Sequence, residues 1–556
     1  LGHLDGTFQA SDLWRMYVTP GPRFVAGMLR TRFIACLPAV LAVGLALAGC
    51  SSLRKGFVKQ PSSGLPQVSD TASARYIGAQ LSQHASGVSG FRLLTRSSNA
   101  LMSRIAIIDQ ARHSIDLQYY IFKNDATGRL VAQHLLAAAD RGVRVRMLLD
   151  AMDLTNEDRM LGALDAHPGI EVRLFNPFGT RSPSMLSKMS QFIVEGRRLN
   201  RRMHNKSLIV DGTVAIIGGR NIGDDYFDAS NDTNFRDVDL IAIGPVVPQA
   251  SHAFDAYWNC DAAYPVEAFR DARDTQDDLA KLRIALAKDA RSFAQSDYAA
   301  AALEAFPDGA TSDRSGEWFW GSAELVSDSP EKINMEGDVP SLRIGPKLKA
   351  MIGGAQRQVL LISPYFLPGN DGSQFLAGIV RRGVPVKVLT NSLASNDEPA
   401  AYSGYARYRV QLLEGGVALY ELRPDQGAAQ PMTARGRSSG ISLHAKAMVV
   451  DSEHVFIGSL NMDQRSKLLN TEMGLIVDSA PLAQAVEQFF NTATLPENAF
   501  HVVLQQVPVG AGYPWQMRWL YRDKGVDINA SREPGATEGR RIEVFFLRML
   551  PLENLL

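Results

Sequence analysis

A chain of 556 residues, 46% hydrophobic and 21% charged, is long and apolar enough for two cores, which excludes a disordered or collagen-like chain. Lys and Arg number 58 together, as do Asp and Glu; this zero formal net charge argues against an extended nucleic-acid surface. Three cysteines, Cys36, Cys50 and Cys260, are too few for a disulfide framework or a cysteine-based metal centre.

Residues 1–27 read as an upstream extension, and Met28-Leu29-Arg30-Thr31-Arg32 as the basic start of a targeting segment. The apolar run from Phe33 to Ala48 is short for a membrane span and suits a signal-peptide core. It ends in Leu47-Ala48-Gly49-Cys50-Ser51, which looks like a bacterial lipobox. That likeness implies cleavage before Cys50, acylation of its thiol, and a lipoprotein on the periplasmic face of the cell envelope, at the inner or the outer membrane. An uncleaved signal anchor is the alternative. A single acyl chain gives only marginal membrane binding, so a second acyl group matters. The stretch from Leu53 to about Gly90, rich in Ser, Gly and Gln, reads as a tether within residues 50–94.

The next segment, 95–260, alternates helical and strand patterns. Leu101, Ile105, Ile108 and Ala111 share one helical face; Ser114 to Phe122 is a strand, Arg129 to Ala139 a helix, Val143 to Leu149 a strand, and Ile170 to Phe175 another. Residues 336–500 repeat the order, with strands at Gln358 to Phe366, Val386 to Thr390 and Gly416 to Leu422 separated by helices. Such alternation predicts an α/β fold of two pseudo-repeated halves, each a mostly parallel sheet flanked by helices, sharing one site at their interface. Tyr405, Tyr408 and Leu412, at helical spacing, read as core. The connection 261–335 is polar and Ala-rich with one long helix, Asp274 to Phe293, and shows no chemical motif. In the extension 501–556, Trp515 to Tyr521 reads as strand, and Arg541 to Leu550 suits either a bilayer surface or packing on the body.

Each half carries one copy of the same pattern. Ser442-Leu443-His444-Ala445-Lys446 leads through Asp451 to Gly458-Ser459-Leu460-Asn461, and Met203-His204-Asn205-Lys206 leads through Asp211 to Gly218-Gly219-Arg220-Asn221. His to Lys is two residues, Lys to Asp five and Asp to Asn ten in both copies. Alternation from Leu443 to Val450 reads as a strand on which His444 and Lys446 share a face, while the odd step to Asp451 puts that residue in the turn, bracing the hairpin.

This pair of motifs is the signature of the phospholipase D superfamily, which the chain resembles over roughly residues 95 to 556. Within it the likeness is to bacterial cardiolipin synthases of type C, through Leu117-Gln118-Tyr119-Tyr120-Ile121, Leu389-Thr390-Asn391-Ser392-Leu393-Ala394 and Asn470-Thr471-Glu472-Met473-Gly474. The resemblance implies a catalytic set of His204, Lys206, Asp211, His444, Lys446 and Asp451. Displacement at a phosphodiester needs a neutral imidazole to attack phosphorus and a protonated one to donate to the leaving oxygen, and imidazole titrates near the required pH. The product of the first step is a phospho-histidine. Lys206, Lys446, Asn221, Asn461 and Ser459 are the candidates for holding phosphoryl oxygens. Gly219 stands where the family pattern usually has Ser, so the first half either forgoes that hydroxyl or replaces it with a backbone group. By family position Glu472 orients His444, and Asp237 is its counterpart for His204. The superfamily precedent makes His204 the nucleophile and His444 the acid/base. A lysine beside each histidine disfavours a metal centre, so no metal or other cofactor is expected.

Resemblance further implies phosphatidyl transfer from a phospholipid, phosphatidylglycerol or phosphatidylethanolamine, to phosphatidylglycerol, forming cardiolipin at a membrane surface. Apolar residues from Met185 to Val194, followed by Arg197, Arg198, Arg201 and Arg202, suit an anionic headgroup with its acyl chains; an amphipathic core helix with a solvated basic turn is the alternative. The rivals for the whole chain are a hydrolytic phospholipase D, a membrane-tethered nuclease and a non-catalytic lipid-binding envelope protein.

Overall fold

A computed structural model describes residues 59–152, 158–179, 195–269, 276–304, 318–335, 339–425, 440–506 and 515–550. The first half supplies β1 (Ser89–Leu94), β2 (Ser114–Tyr119), β3 (Arg144–Asp150), β4 (Ile170–Phe175), β5 (Ser207–Val210), β6 (Val214–Gly218), β7 (Thr233–Arg236), β8 (Asp239–Ile243) and β9 (Ala263–Pro265). The second supplies β10 (Phe319–Ser327), β11 (Val359–Ile362), β12 (Val386–Asn391), β13 (Ala418–Leu422), β14 (Gly440–Leu443), β15 (Ala447–Val450), β16 (His454–Gly458), β17 (Met473–Asp478), β18 (Ala499–Gln506), β19 (Trp515–Asp523) and β20 (Val526–Ala530).

The two halves repeat one topology, in an α/β fold. In the first, the order is β1–β8–β6–β5–β2–β3–β4–β9, with only β2, β3 and β4 mutually parallel. In the second it is β10–β17–β16–β15–β11–β12–β13, parallel only in β11, β12 and β13, and β18, β19 and β20 continue it antiparallel. The sheets are therefore mixed, where the helix–strand alternation predicts mostly parallel ones. The reason is local: each motif segment returns as a tight hairpin, β5–β6 or β15–β16, and a hairpin can only pair antiparallel. β1 also pairs with β10, joining the half-sheets edge to edge.

Helices cover the faces. α1 (Ala72–Leu81) precedes β1; α2 (Ser97–Gln110) and α3 (Ala126–Asp140) place Ile105, Ile108 and Leu135 over Ile115, Leu117 and Val145 of the first sheet. α4 (Val246–Asn259) belongs to the middle layer, and α5 (Gln276–Ala294) lies beside α3. α6 (Gly369–Arg381) and α7 (Pro399–Glu414) repeat the outer layer on the second sheet, with Leu376, Tyr405 and Leu412 over Val359, Leu361 and Val388; Tyr405 and Tyr408 are core residues, as their spacing suggests. The middle layer is shared. Phe254 and Trp258 of α4, and Val486 and Phe490 of α8 (Ala480–Ala493), form one cluster with Ile209 and Ile217 of the first sheet and Leu360 and Val449 of the second. α9 (Glu538–Leu547) closes the described chain against α7. Among the described residues, no helix is long and apolar enough to cross a membrane.

The compositional boundaries shift once packing is visible. Cys50 and the targeting segment lie outside the described residues. From Lys59 onward, however, the stretch read as tether is bound to the body: Lys59 Nζ donates to the carbonyls of Cys260 and Asp261, and the Gly64 N–H to the Asp255 carboxylate. β1 lies within the first sheet, before residue 95. The connection contributes β10 to the second sheet, and β18 carries that sheet past residue 500.

Asp211 and Asp451 sit at the far ends of β5 and β15 from the histidines, so the structure removes them from the catalytic set. Asp211-Gly212 and Asp451-Ser452 adopt left-handed φ angles of 52° and 63°, and of 58° and 56°, as a type I′ hairpin turn requires. The Asp211 carboxylate accepts the backbone N–H groups of Arg112, His113 and Ser114; Asp451 accepts those of Gln356, Arg357 and Gln358. Each carboxylate thus ties its hairpin to the start of the neighbouring central strand. Asp211 is buried, so Asp211→Ala leaves three backbone donors unpaired and is expected to cost about 3 kcal/mol. Urea denaturation measures that loss, and the kcat of the remaining folded enzyme should stay near the parent value.

Candidate active site

The motif histidines do not sit on continuous strands. β14 stops at Leu443 and β15 starts at Ala447, because the N–H groups of His444 and Ala445 both turn to the carbonyl of Arg236 in the other half, at 2.8 and 3.0 Å. The first copy mirrors this: the His204 N–H donates to Thr471 O, and the Thr471 N–H to Arg202 O, both at 2.9 Å. A parallel two-stranded ribbon, β7 with β14, and a parallel bridge of Met203 with Thr471 stitch the halves together at these points.

The residue after each cross-half acceptor is a carboxylate. Consequently the pairing is crossed: His204 Nδ1 lies 2.9 Å from Glu472 Oε2, and His444 Nδ1 lies 2.6 Å from Asp237 Oδ2. This corrects the same-half pairing implied by family position. Spacing along one half cannot reveal it, since the partner is set by the ribbon between halves.

All four basic side chains are buried: His204 is 7% exposed, His444 6%, and Lys206 and Lys446 1% each. Lys206 Nζ donates to His204 O at 2.7 Å, and Lys446 Nζ likewise to His444 O. Burial together with Lys206, Lys446 and Arg465 holds the His204 imidazole well below its ordinary value. Burial and Lys446 bring His444 down to about 4, with Asp237 opposing them. Lys206 is also held low by burial, and Lys446 to about 8. Against burial, which alone would raise it, His444 and Lys446 hold Asp237 at about 2. Burial pushes Glu472 up to about 7, and its Oε1 has no hydrogen-bond partner among the described residues. An anionic diester placed between the imidazoles would raise all four bases at once, because opposite charge favours the protonated forms.

Ser459 does not face this space. Its hydroxyl donates to Glu472 Oε2 at 2.5 Å and accepts the Met473 N–H at 3.0 Å, so it positions the carboxylate rather than a phosphate. In the other half a Cβ at Gly219 would stand 2.2 Å from Asp237 Oδ1. Glycine there makes room for the carboxylate, which accounts for the departure from Ser. Asn221 spends its carbonyl on the Ile121 N–H and one amide hydrogen on Tyr226 Oη, leaving the second hydrogen for a ligand. Asn461, 7% exposed, has no partner on Oδ1 among the described residues.

Several contributors are not marked by the motifs. Tyr120 packs edge-on to His204, and Tyr226 and Phe235 pack on His444. Asp328, in a connection that shows no motif, accepts the Glu472 N–H and pairs with Lys332. Asp150 accepts from the Met203 N–H and the Arg202 guanidinium. Tyr120 and Tyr226 lie beside motif residues; Asp150 and Asp328 carry no signal in the sequence. Conversely, the basic turn is structural. Arg202 is fully buried on Asp150, Arg201 donates to carbonyls of Ile333 and Met335, and Arg198 pairs with Glu195 and Asn176; residues 185–194 lie outside the described residues. Among the described residues, no three His, Cys, Asp or Glu side chains gather as a metal would need.

A family described as "Cardiolipin synthase, PLD-like domain" matches residues 105–258 and 348–494, one match for each half of this site. The chain belongs to this family. It is 39% identical over 479 residues to Cardiolipin synthase C of Escherichia coli (strain K12), covering 85% of this chain and 98% of that one. Cardiolipin synthase 2 of Staphylococcus epidermidis is 26% identical over 69% of this chain and 64% of its own. Phosphatidylserine synthase of Haemophilus influenzae superposes with a TM-score of 0.53 over 87% of this chain and 99% of its own; at 13% identity it attests the fold alone. The chain is accordingly an enzyme, of the phosphatidyltransferase type.

The crossed pairing has a direct test. Glu472→Gln should shift the His204 imidazole 15N resonances and leave those of His444, Asp237→Asn the reverse, each with a rate loss of about 10²–10⁴. Because Lys446 titrates near pH 8 and acts protonated, kcat/KM should fall as pH rises above that value. Lys446→Arg, whose guanidinium stays protonated, should remove the Lys446 contribution to that alkaline limb, leaving the one set by Lys206, which burial also holds low.

Proposed function

We propose that the chain is a membrane-associated cardiolipin synthase that moves a phosphatidyl group from a donor phospholipid to phosphatidylglycerol through a phosphatidyl-His204 intermediate. The observation that carries this reading is the crossed histidine–carboxylate pair closed around two buried lysines. Its donor set suits a phosphodiester: two imidazoles for proton and phosphoryl transfer, and positive charge for the non-bridging oxygens.

The surroundings favour a division of labour. Burial, reinforced by Lys206, Lys446 and Arg465, keeps His204 neutral, and its Nδ1 is engaged by Glu472, so Nε2 offers a lone pair to phosphorus. His444 is also held low, at about 4. It has, however, the ionised Asp237 against Nδ1 where His204 has the more nearly neutral Glu472, so of the two it takes a proton more readily and becomes the donor at Nε2 once an anionic diester is bound. In the first step His204 Nε2 bonds to phosphorus while the headgroup oxygen leaves with the proton of His444. In the second, neutral His444 takes the proton of a glycerol hydroxyl of phosphatidylglycerol, that oxygen attacks phosphorus, and the P–N bond breaks. Lys206 and Lys446 hold the non-bridging oxygens throughout. The Cys50 lipobox supports a lipid-anchored chain at the periplasmic face, which keeps the site beside its substrates.

The deciding assay is product analysis by mass spectrometry, with phosphatidylglycerol alone and with phosphatidylethanolamine. Cardiolipin should form with the parent chain, persist in EDTA and vanish in His204→Ala. Phosphatidic acid as main product would make the enzyme a hydrolase. In reactions quenched with denaturant at neutral pH the phosphatidyl adduct should map to His204 and be absent from His204→Ala; an adduct on His444 would reverse the two roles.

A further inference from the structure

α9 is turned inside out for a surface helix. Ile542, Phe545 and Phe546 share one stripe of α9, the face a helix ordinarily buries, and Met549 continues it in the turn just past the helix end. Here these residues are 56%, 56%, 60% and 64% exposed, and Leu550 extends the stripe at 48%. Val544, about half a turn away, is the side chain that docks on the body, at 5%. Arg407 fastens the helix end by donating to the carbonyls of Arg548 and Leu550.

The helix also adjoins the active site. Arg540 donates to the carbonyl of Asn396. That residue belongs to the loop after β12, a strand whose last residue, Asn391, exchanges two hydrogen bonds with the backbone of Leu443, the residue before His444. In the same loop Asp397 accepts from Tyr365 Oη at 2.7 Å, and its charge is felt at Lys446 and Tyr226. From the stripe to the reacting histidine the path is one helix width and one loop.

We propose that α9 is the surface on which the enzyme seats itself in a lipid bilayer, with Ile542, Phe545, Phe546 and Met549 among the acyl chains. The inference rests on the reading of a phospholipid substrate. Withdrawing an acyl chain into water costs about 0.8 kcal/mol per CH₂, so the site must come to the bilayer rather than the lipid to the site. Arg548 lies exposed beside the stripe and suits anionic headgroups, while Arg541 is spent on Glu538 and the Glu533 carbonyl, and Glu543 is the other acidic residue of the helix. A tether at the N-terminus sets which membrane is near; α9 sets which way the site faces it.

The test compares the full chain with Phe545→Glu/Phe546→Glu, and separately with Ile542→Asp/Met549→Asp, on two substrates. One is a vesicle of phosphatidylglycerol and phosphatidylethanolamine; the other is short-chain phosphatidylglycerol below its micellar concentration. Removing two large apolar anchors should lower kcat/KM on vesicles about a hundredfold. The rate on the soluble lipid should stay within about twofold of parent, by the same argument that the variants leave the site intact. Unchanged vesicle rates overturn the proposal and leave the stripe to a protein partner. Equal losses on both substrates in both variants also overturn it, by assigning the stripe to the fold. If the parent turns over neither lipid, the substrate reading has failed instead. Energy transfer from tryptophan to dansyl-labelled vesicles then judges α9 alone: a drop in the variants supports the seat and no change refutes it.

Discussion

Everything at the centre of this enzyme depends on one exchange: each histidine takes its backbone anchor and its carboxylate from the opposite half. The Arg236 carbonyl fixes His444 and Asp237 orients it; the Thr471 carbonyl fixes His204 and Glu472 orients it. A half on its own would hold an imidazole with no partner for Nδ1, free to choose the wrong tautomer. The shared layer of α4 and α8 is therefore part of the catalytic apparatus. It sets the register of the two halves, and the register sets which nitrogen is free to react.

Two nearly equal motifs then acquire unequal chemistry from small differences around them. Asp237 fills the space opened by Gly219, and His444 and Lys446 keep it ionised. Glu472 is pinned by the Ser459 hydroxyl and by Asp328 beneath its backbone, and burial raises it towards neutrality. An ionised carboxylate stabilises an imidazolium; one raised towards neutrality does so far less. The glycine that reads in the pattern as a missing hydroxyl is thus a source of the asymmetry between the two histidine–carboxylate pairs, on which the proposed assignment of acid and nucleophile rests.

What can be read from the chain is what is periodic or local. Strands and helices of both halves follow from alternation and 3.6-residue spacing, and the duplicated His-x-Lys spacing locates the site. The I′ turns at Asp211 and Asp451 are legible as turns, because an odd step along a strand leaves its face. What stays hidden is set across the chain. The crossing of Asp237 and Glu472 depends on a ribbon between residues some 200 positions apart, as in Gly440 opposite Thr233. The break at His444 follows from a carbonyl in the other half, so local β-propensity argues for a strand that tertiary bonding overrides. Arg198, Arg201 and Arg202 look like a headgroup site in sequence, yet their guanidiniums meet Asp150, Asn176 and main-chain carbonyls, which composition alone cannot show.

Burying two ammoniums beside two imidazoles is costly, and the lowered bases record that cost. A group held below its ordinary base strength in the fold favours unfolding whenever the solution is acid enough to protonate it in the unfolded chain. The cluster of bases is therefore a local weakness, tolerated because the surrounding layers are apolar and closely packed. An anionic phosphodiester reverses the balance: it supplies the missing negative charge, favours the charged lysines and the His444 imidazolium, and strengthens each contact by excluding water. Binding, protonation and readiness for phosphoryl transfer thus become one event. The same coupling leaves the lysines and His444 least charged when no diester is bound, so the positive clamp is complete only around a ligand that brings that charge.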